Sequence, residues 1–272
     1  MQMLKEQIER CLATEFEQKL FKGALDFLDQ DGNPLKFNAF AFSLRELFRH
    51  VMERLAPDEM VKKCSWFVQD TNIQEGRLTR FQRFKYAVQK GLSDEFTKTD
   101  LNIELEETWP DVKSSIDALS KLTHVGPKTF DLDGDEGQKR VKDAIEALWM
   151  IFAAIEDASS ELEQSLHHHI DQAVVAASLR ETNAQIDILS SNSIIEGTEI
   201  SSWEITAINA RTIEFSGEGT AYISMEWGRD DDHAQLNDEY PFTFSGYATV
   251  DQPMKPIVEA EGIQIDTSDW YE

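Results

Sequence analysis

The chain has 272 residues, with 51 acidic and 26 basic side chains and a net charge of −25. That balance excludes a general nucleic-acid coat, which needs clustered positive charge, so contact with a phosphate backbone must come from a local basic patch. The two cysteines, Cys11 and Cys64, cannot build a zinc site alone and are thin support for secreted life.

The N-terminal MQMLKEQIER has no apolar signal core. The longest apolar run, Ala147 to Ile155, falls far short of the roughly 20 residues that span a bilayer. Together these features predict a soluble, cytoplasmic protein with no membrane partner.

In chain order, residues 2–29 read as two helical stretches, ended by the turn Asp29-Gln-Asp-Gly-Asn-Pro34. From Lys36 to Ala56 the apolar positions Phe40, Leu44, Leu47, Val51 and Leu55 follow one helix face, and Pro57 marks the end. Leu78 to Lys90 is a helix in which Phe81, Phe84, Tyr86 and Val88 alternate with basic side chains. Asp111 to Leu122 is another, stopped by Gly126-Pro127. A long helix is predicted from about Gln138 to Ser160, with Val141, Ile145, Leu148, Phe152 and Ile155 on one face, and a further connecting helix from Glu161 to about Leu189.

After Ser190 the period changes to two. Ala221, Ile223, Met225 and Trp227 alternate with polar neighbours, as do Phe242, Phe244, Ala248 and Val250. This is the pattern of strands with one buried face. Gly217-Glu-Gly219 and Gly228 to Asp238 read as turns or loops. Helices first and strands later predict an α+β chain with segregated parts: a helical domain over 1–160, a helical connector over 161–190, and an acidic antiparallel β domain over 191–272. Neither a G-x-G-x-x-G nor a P-loop stretch is present, so no nucleotide cofactor is expected.

Residues 146–272 hold four of the 26 basic side chains and 25 of the 51 acidic ones. The acidic half either binds a basic partner or keeps the protein soluble. Any anionic polymer falls to the first half, where Arg77, Arg80 and Arg83, with Lys85 nearby, suit an RNA backbone and Phe81 or Phe84 suits a stacked base. The competing reading is that the aromatics pack in the core and the charges form a solvated face.

Metal motifs fail on spacing. An EF-hand loop starting at Asp131 needs Gly at its sixth place and Glu at its twelfth, where Glu136 and Lys142 stand; acidic residues there suit a helix cap. His167, His168 and His169 are consecutive on a helix and point about 100° apart, so they cannot chelate one ion together. Asp230-Asp-Asp-His233 suits solvated loop charge, and no metal is expected.

Two Arg/Lys-to-His spacings suit metal-independent phosphodiester chemistry, in which a histidine moves a proton and a cation steadies the crowded phosphate. Arg45, Arg49 and His50 form the first, a secondary candidate because Arg45 and His50 lie about 140° apart on a helix. The second is Lys121 and His124, at the point where a helix gives way to Gly126-Pro127. There a histidine is accessible and exposed to the helix dipole, unless it only satisfies free carbonyls at the helix end.

The stretches Phe37 to Pro57, Cys64-Ser-Trp-Phe67, Leu119 to Phe130, Met225-Glu-Trp-Gly228 and Pro241-Phe-Thr-Phe244 together resemble bacterial predicted pPIWI-associating nucleases. The helical half also resembles the HEPN superfamily, which includes many metal-independent ribonucleases of toxin and phage-defence systems. That likeness implies an endoribonuclease acting as a homodimer, with His124 moving protons and Lys121 steadying the phosphate. The superfamily pattern is an arginine, four to six intervening residues and then the histidine, which puts the arginine at 117–119, where Asp117, Ala118 and Leu119 stand. Either Lys121 substitutes, an arginine arrives from elsewhere in the fold, or catalysis is absent. In the last case the chain is a dimerising accessory whose acidic β domain binds a partner protein of a defence complex.

Overall fold

The computed structural model describes residues 1–178, 186–228 and 233–271. It divides into two compact units, Met1–Lys90 with Asp94–Ser159, and Gly91–Ser93 with Ser160–Glu272.

The first unit is helical: α1 (Gln2–Cys11), α2 (Glu15–Leu28), α3 (Lys36–Leu55), α4 (Asp58–Val61), α5 (Arg80–Gln89), α6 (Asp94–Thr99), α7 (Leu105–Leu122) and the first part of α8 (Gly134–Ser178). Two of these helices start at reciprocal capping boxes, Thr14 with Glu17 and Thr79 with Gln82. In each, the threonine hydroxyl takes an orphan backbone N–H while the third residue's side chain returns to the cap. The stripe predicted for α3 is the core: Phe40, Leu44, Leu47 and Val51 are buried, and pack with Val141, Ile145, Leu148 and Phe152 of α8 in one cluster. The basic-aromatic helix divides as its pattern allows, with Phe84, Tyr86 and Val88 buried and Phe81 half-buried.

Three helical expectations are corrected. α7 starts at Leu105, six residues before the predicted Asp111, and carries Pro110 inside. A proline there removes one backbone hydrogen bond, but Leu105 is buried and Trp109 packs on Phe81 and Phe84, so tertiary burial overrides the local breaker. The short helices α4 and α6 carry too little periodic signal to be read. The two helices expected on either side of residue 160 are one, because Ser159-Ser160 contains no breaker and the buried stripe continues through Leu162, Leu166, Ile170 and Val174. The predicted extension to Leu189 falls partly on 179–185, outside the described residues, and Ile186–Leu189 is a turn.

The second unit contains a four-stranded antiparallel sheet in the order β1 (Asn192–Ile208), β2 (Thr212–Trp227), β3 (Ala234–Thr249) and β4 (Ile263–Ile265). The alternation holds: Ile213, Phe215, Ala221, Ile223 and Met225 of β2 and Phe242, Phe244 and Ala248 of β3 are buried. The β1–β2 turn is set by Asn209, whose side-chain oxygen accepts from the N–H groups of Arg211 and Thr212.

Gly217, expected in a turn, lies inside β2 opposite Phe244. A Cβ there would sit 2.5 Å from the Phe244 ring and from the Ser202 carbonyl, so this close approach excludes a side chain. The loop expected up to Asp238 is shorter. β3 begins at Ala234, with Gln235, Asn237 and Glu239 paired along β2; its polar start hides the strand from a hydrophobic reading. Glu196, Glu199, Glu204, Glu214 and Glu218 are exposed on β1 and β2, while Arg211 and Lys255 are the only basic side chains among the described residues of this unit.

Candidate active site

His124 sits two residues past the end of α7, and the turn that carries it is tied at several points. The Thr123 hydroxyl donates to the Ser120 carbonyl at 2.8 Å, and the Thr129 hydroxyl donates to the His124 carbonyl at 2.6 Å. From α3, the buried Asn38 amide donates to the carbonyls of Leu122 at 2.7 Å and Thr129 at 3.0 Å, clamping both sides of the turn. The imidazole stays exposed, as does Lys121. The backbone carbonyls are therefore satisfied without the histidine ring, contrary to a purely capping role for His124.

The cation beside this turn comes from another helix. Arg45 of α3 donates through Nη1 to the Thr123 hydroxyl at 3.1 Å and through Nη2 to Glu46 at 3.0 Å. The residue adjoining His124 thus fixes an arginine that is 78 positions away in sequence. Glu46 also accepts from Arg49 Nε at 3.0 Å, and Arg49 reaches Glu53 at 2.9 Å. The hydrogen bond from Arg49, then that from Arg45, holds the Glu46 carboxyl below its ordinary value of 4.5 against the opposing effect of burial. A depressed folded-state pKa contributes stability above the unfolded value, lost as pH falls through the lowered one. Glu46→Gln is expected to lower the melting temperature at pH 7 by an amount equivalent to about 1 kcal/mol or less, with the gap closing in acid. Melting curves of both proteins at several pH values check this; a gap that persists below the carboxylate range contradicts the assignment.

Arg45 and Arg49 face a cavity of about 330 Å³ between α3 and α7, to which α5 brings Arg80 and Arg83. Two groups of residues that the sequence treated separately therefore meet at one pocket. Its apolar wall includes Phe84, Trp109, Val112 and Ile116, and Ser120 lies on the α7 side. His50 turns elsewhere. Its ring packs edge-on against Phe16 at 4.7 Å, and its Nε2 accepts from Arg49 at 2.8 Å.

The residues expected to attract RNA are mostly engaged. Arg80 pairs with Asp117 at 3.1 Å, and Lys85 lies 2.6 Å from Asp94 and 4.7 Å from the centre of the Trp66 ring. Arg83 is bound to the Ala56 carbonyl at 2.8 Å and to Asp58 at 2.6 Å. Arg77 is exposed. Phe84 is fully buried, which rules it out as an open stacking platform for a base. Asn38, Thr123 and Trp109 were missed from sequence, because a lone amide, a lone hydroxyl and a lone indole carry no spacing signal.

The other candidate sites resolve into structural roles. The Asp133 carboxylate accepts from the Asp135 N–H at 2.9 Å, capping α8. His167 accepts from the Trp203 indole at 2.9 Å, and His168 bonds Gln172. His233 lies 3.9 Å from Glu226, whereas Asp230–Asp232 fall outside the described residues. Among the described residues no three His, Cys, Asp or Glu side chains converge as metal ligands. Burial pushes the Cys64 thiol up to about 12 and also raises Cys11, so neither is poised as a nucleophilic thiolate. Among the described residues no helix is long and apolar enough to cross a membrane.

No curated protein and no solved structure matches the chain. Two family models do, both described as predicted pPIWI-associating nuclease, one over residues 9–148, which carry His124 and the arginine pocket, and one over residues 155–271, which carry the sheet. The two matches together span nearly the whole sequence, and the chain belongs to the family of predicted pPIWI-associating nucleases.

Proposed function

We propose that the chain is a metal-independent endoribonuclease of a bacterial phage-defence or toxin system, with its active site at the turn after α7. The observation that supports it is the bond between Arg45 and Thr123, which ties a guanidinium to the residue preceding the exposed His124. Of the readings left open by the absent arginine on α7, this favours a cation delivered from elsewhere in the fold.

His124 takes the proton of a ribose 2′-hydroxyl. The resulting oxygen attacks the adjacent phosphorus, and the 5′-oxygen leaves with a proton, giving a cyclic phosphate end. Arg45 offsets the charge that builds on the phosphate oxygens, and Lys121, on the last turn of α7, adds a second cation. One histidine per site supplies one proton-transfer group, whereas the reaction needs a base and an acid. A homodimer bringing two copies of His124 together meets that need, as the resemblance to the HEPN superfamily implies.

The test is incubation of purified protein with RNA in EDTA. RNA, and not DNA, is expected to be cut. Arg45→Ala is expected to lose about 10²- to 10³-fold in rate, the scale for removing one donor to a developing oxyanion, with partial recovery in Arg45→Lys. Cleavage that requires added divalent metal, or equal cleavage by Arg45→Ala, overturns the proposal.

A further inference from the structure

The pocket between α3 and α7 is distinct from the His124 imidazole but shares its framework. We infer that it is a binding site for a single nucleotide, with the base against the apolar wall and the phosphate among the arginines. The inference rests on the proposed RNA chemistry for its link to catalysis, though not for the binding itself.

Four features carry it. The volume of about 330 Å³ lies at the low end for small-ligand sites, which suits one base with its sugar and phosphate rather than a run of nucleotides. Trp109, Val112, Ile116 and Ser120 stand at positions 0, 3, 7 and 11 along α7 and so form a single stripe. Eleven residues of helix make that stripe about 16 Å long, apolar at the Trp109 end and polar at the Ser120 end.

At the aromatic end the buried Phe84 stacks behind Trp109, at 5.4 Å between ring centres and 29° between planes. The half-buried indole is the flat, polarisable ring left for a base to stack on. At the polar end is Arg45, bonded to Thr123. A nucleotide lying along the stripe with its base at Trp109 carries its phosphate toward Arg45 and the turn of His124.

The arginines divide by exposure and bonding. Arg83 is held by a carbonyl and a carboxylate, and its side chain is only 19% exposed. Arg49 and Arg80 are half exposed: Arg49 pairs with Glu46 and Glu53, which also line the pocket, and Arg80 pairs with Asp117. Such pairs are weak, so an incoming phosphate displaces these carboxylates at small cost. A base with no anionic group does not use the arginines, and a bare phosphate does not use the wall. The pocket therefore selects a ligand that has both.

Titration calorimetry on the full chain in EDTA, with AMP, CMP, adenosine, inorganic phosphate and phenyl phosphate as separate probes, tests this. The mononucleotides are expected to bind at least tenfold more tightly than the other three. Arg80→Ala and Arg49→Ala, both at exposed pairs, are each expected to weaken mononucleotide binding about tenfold or more. Arg140→Ala, which loses only a pair with Glu136 on α8, is expected to leave it unchanged.

Equal binding of inorganic phosphate and AMP overturns the inference, as does equal binding of phenyl phosphate, which needs no nucleotide. Absence of mononucleotide binding to the folded wild type also overturns it. His124→Ala separates the two proposals. Nucleotide binding retained in that variant, with no RNA cleavage by the wild type, leaves the pocket standing and removes the ribonuclease reading. RNA cleavage without mononucleotide binding does the reverse.

Discussion

His124→Ala is expected to remove roughly 10²-fold or more of the RNA cleavage rate, the usual scale for a general acid–base group, while the melting temperature stays near that of the wild type. The asymmetry follows from the hydrogen bonding of the turn. The carbonyls at the end of α7 are taken by Asn38, Thr123 and Thr129, and the imidazole is exposed. Truncating an exposed side chain that holds nothing in place costs under about 0.5 kcal/mol. The measurement is RNA degradation by wild type and variant in EDTA, with melting curves alongside. Equal cleavage by the two proteins removes His124 from the mechanism. A large fall in melting temperature with unchanged activity per folded molecule assigns it a structural part instead.

Phe40→Ala is expected to destabilise the helical unit by about 3–5 kcal/mol, the range for emptying a buried aromatic site. Phe40 is 1% exposed on α3, between Phe37 and Leu44 in the same core. α3 also carries Asn38 and Arg45, which hold the His124 turn. Loss of this packing is therefore expected to reduce activity in parallel with folded fraction, and no further. Denaturant unfolding followed by far-ultraviolet circular dichroism, with activity normalised to folded protein, checks both parts. A cost under about 1 kcal/mol would mean that α3 is not the centre of the core.

The helical core was legible because burial leaves a period. Phe40, Leu44, Leu47 and Val51 repeat at the spacing of one helix face, and Phe242 and Phe244 alternate as a strand does. Local breakers misled where tertiary packing outweighed them. Pro110 sits inside α7 because Leu105 is buried before it and Trp109 packs beside it. Polar strand ends misled in the opposite direction: β3 starts at Ala234 because its backbone pairs with β2, and backbone pairing has no signature in side-chain polarity.

The candidate site divides in the same way. His124 and Lys121 were legible from a helix end next to Gly126-Pro127, a strictly local pattern. The acids that neutralise the basic helix were not, because Asp58 and Asp117 lie 25 and 37 residues from Arg83 and Arg80. By itself the sequence determined that helices come first and strands after, the buried faces of α3, β2 and β3, the acidic character of the second half and the accessible histidine, since each depends on composition or near-neighbour spacing. Only the tertiary structure decided which cation is tied to the turn that carries that histidine. Arg45 reaches Thr123 because α3 and α7 bury their apolar faces in one core, and the hydrogen bond that follows joins residues 78 positions apart.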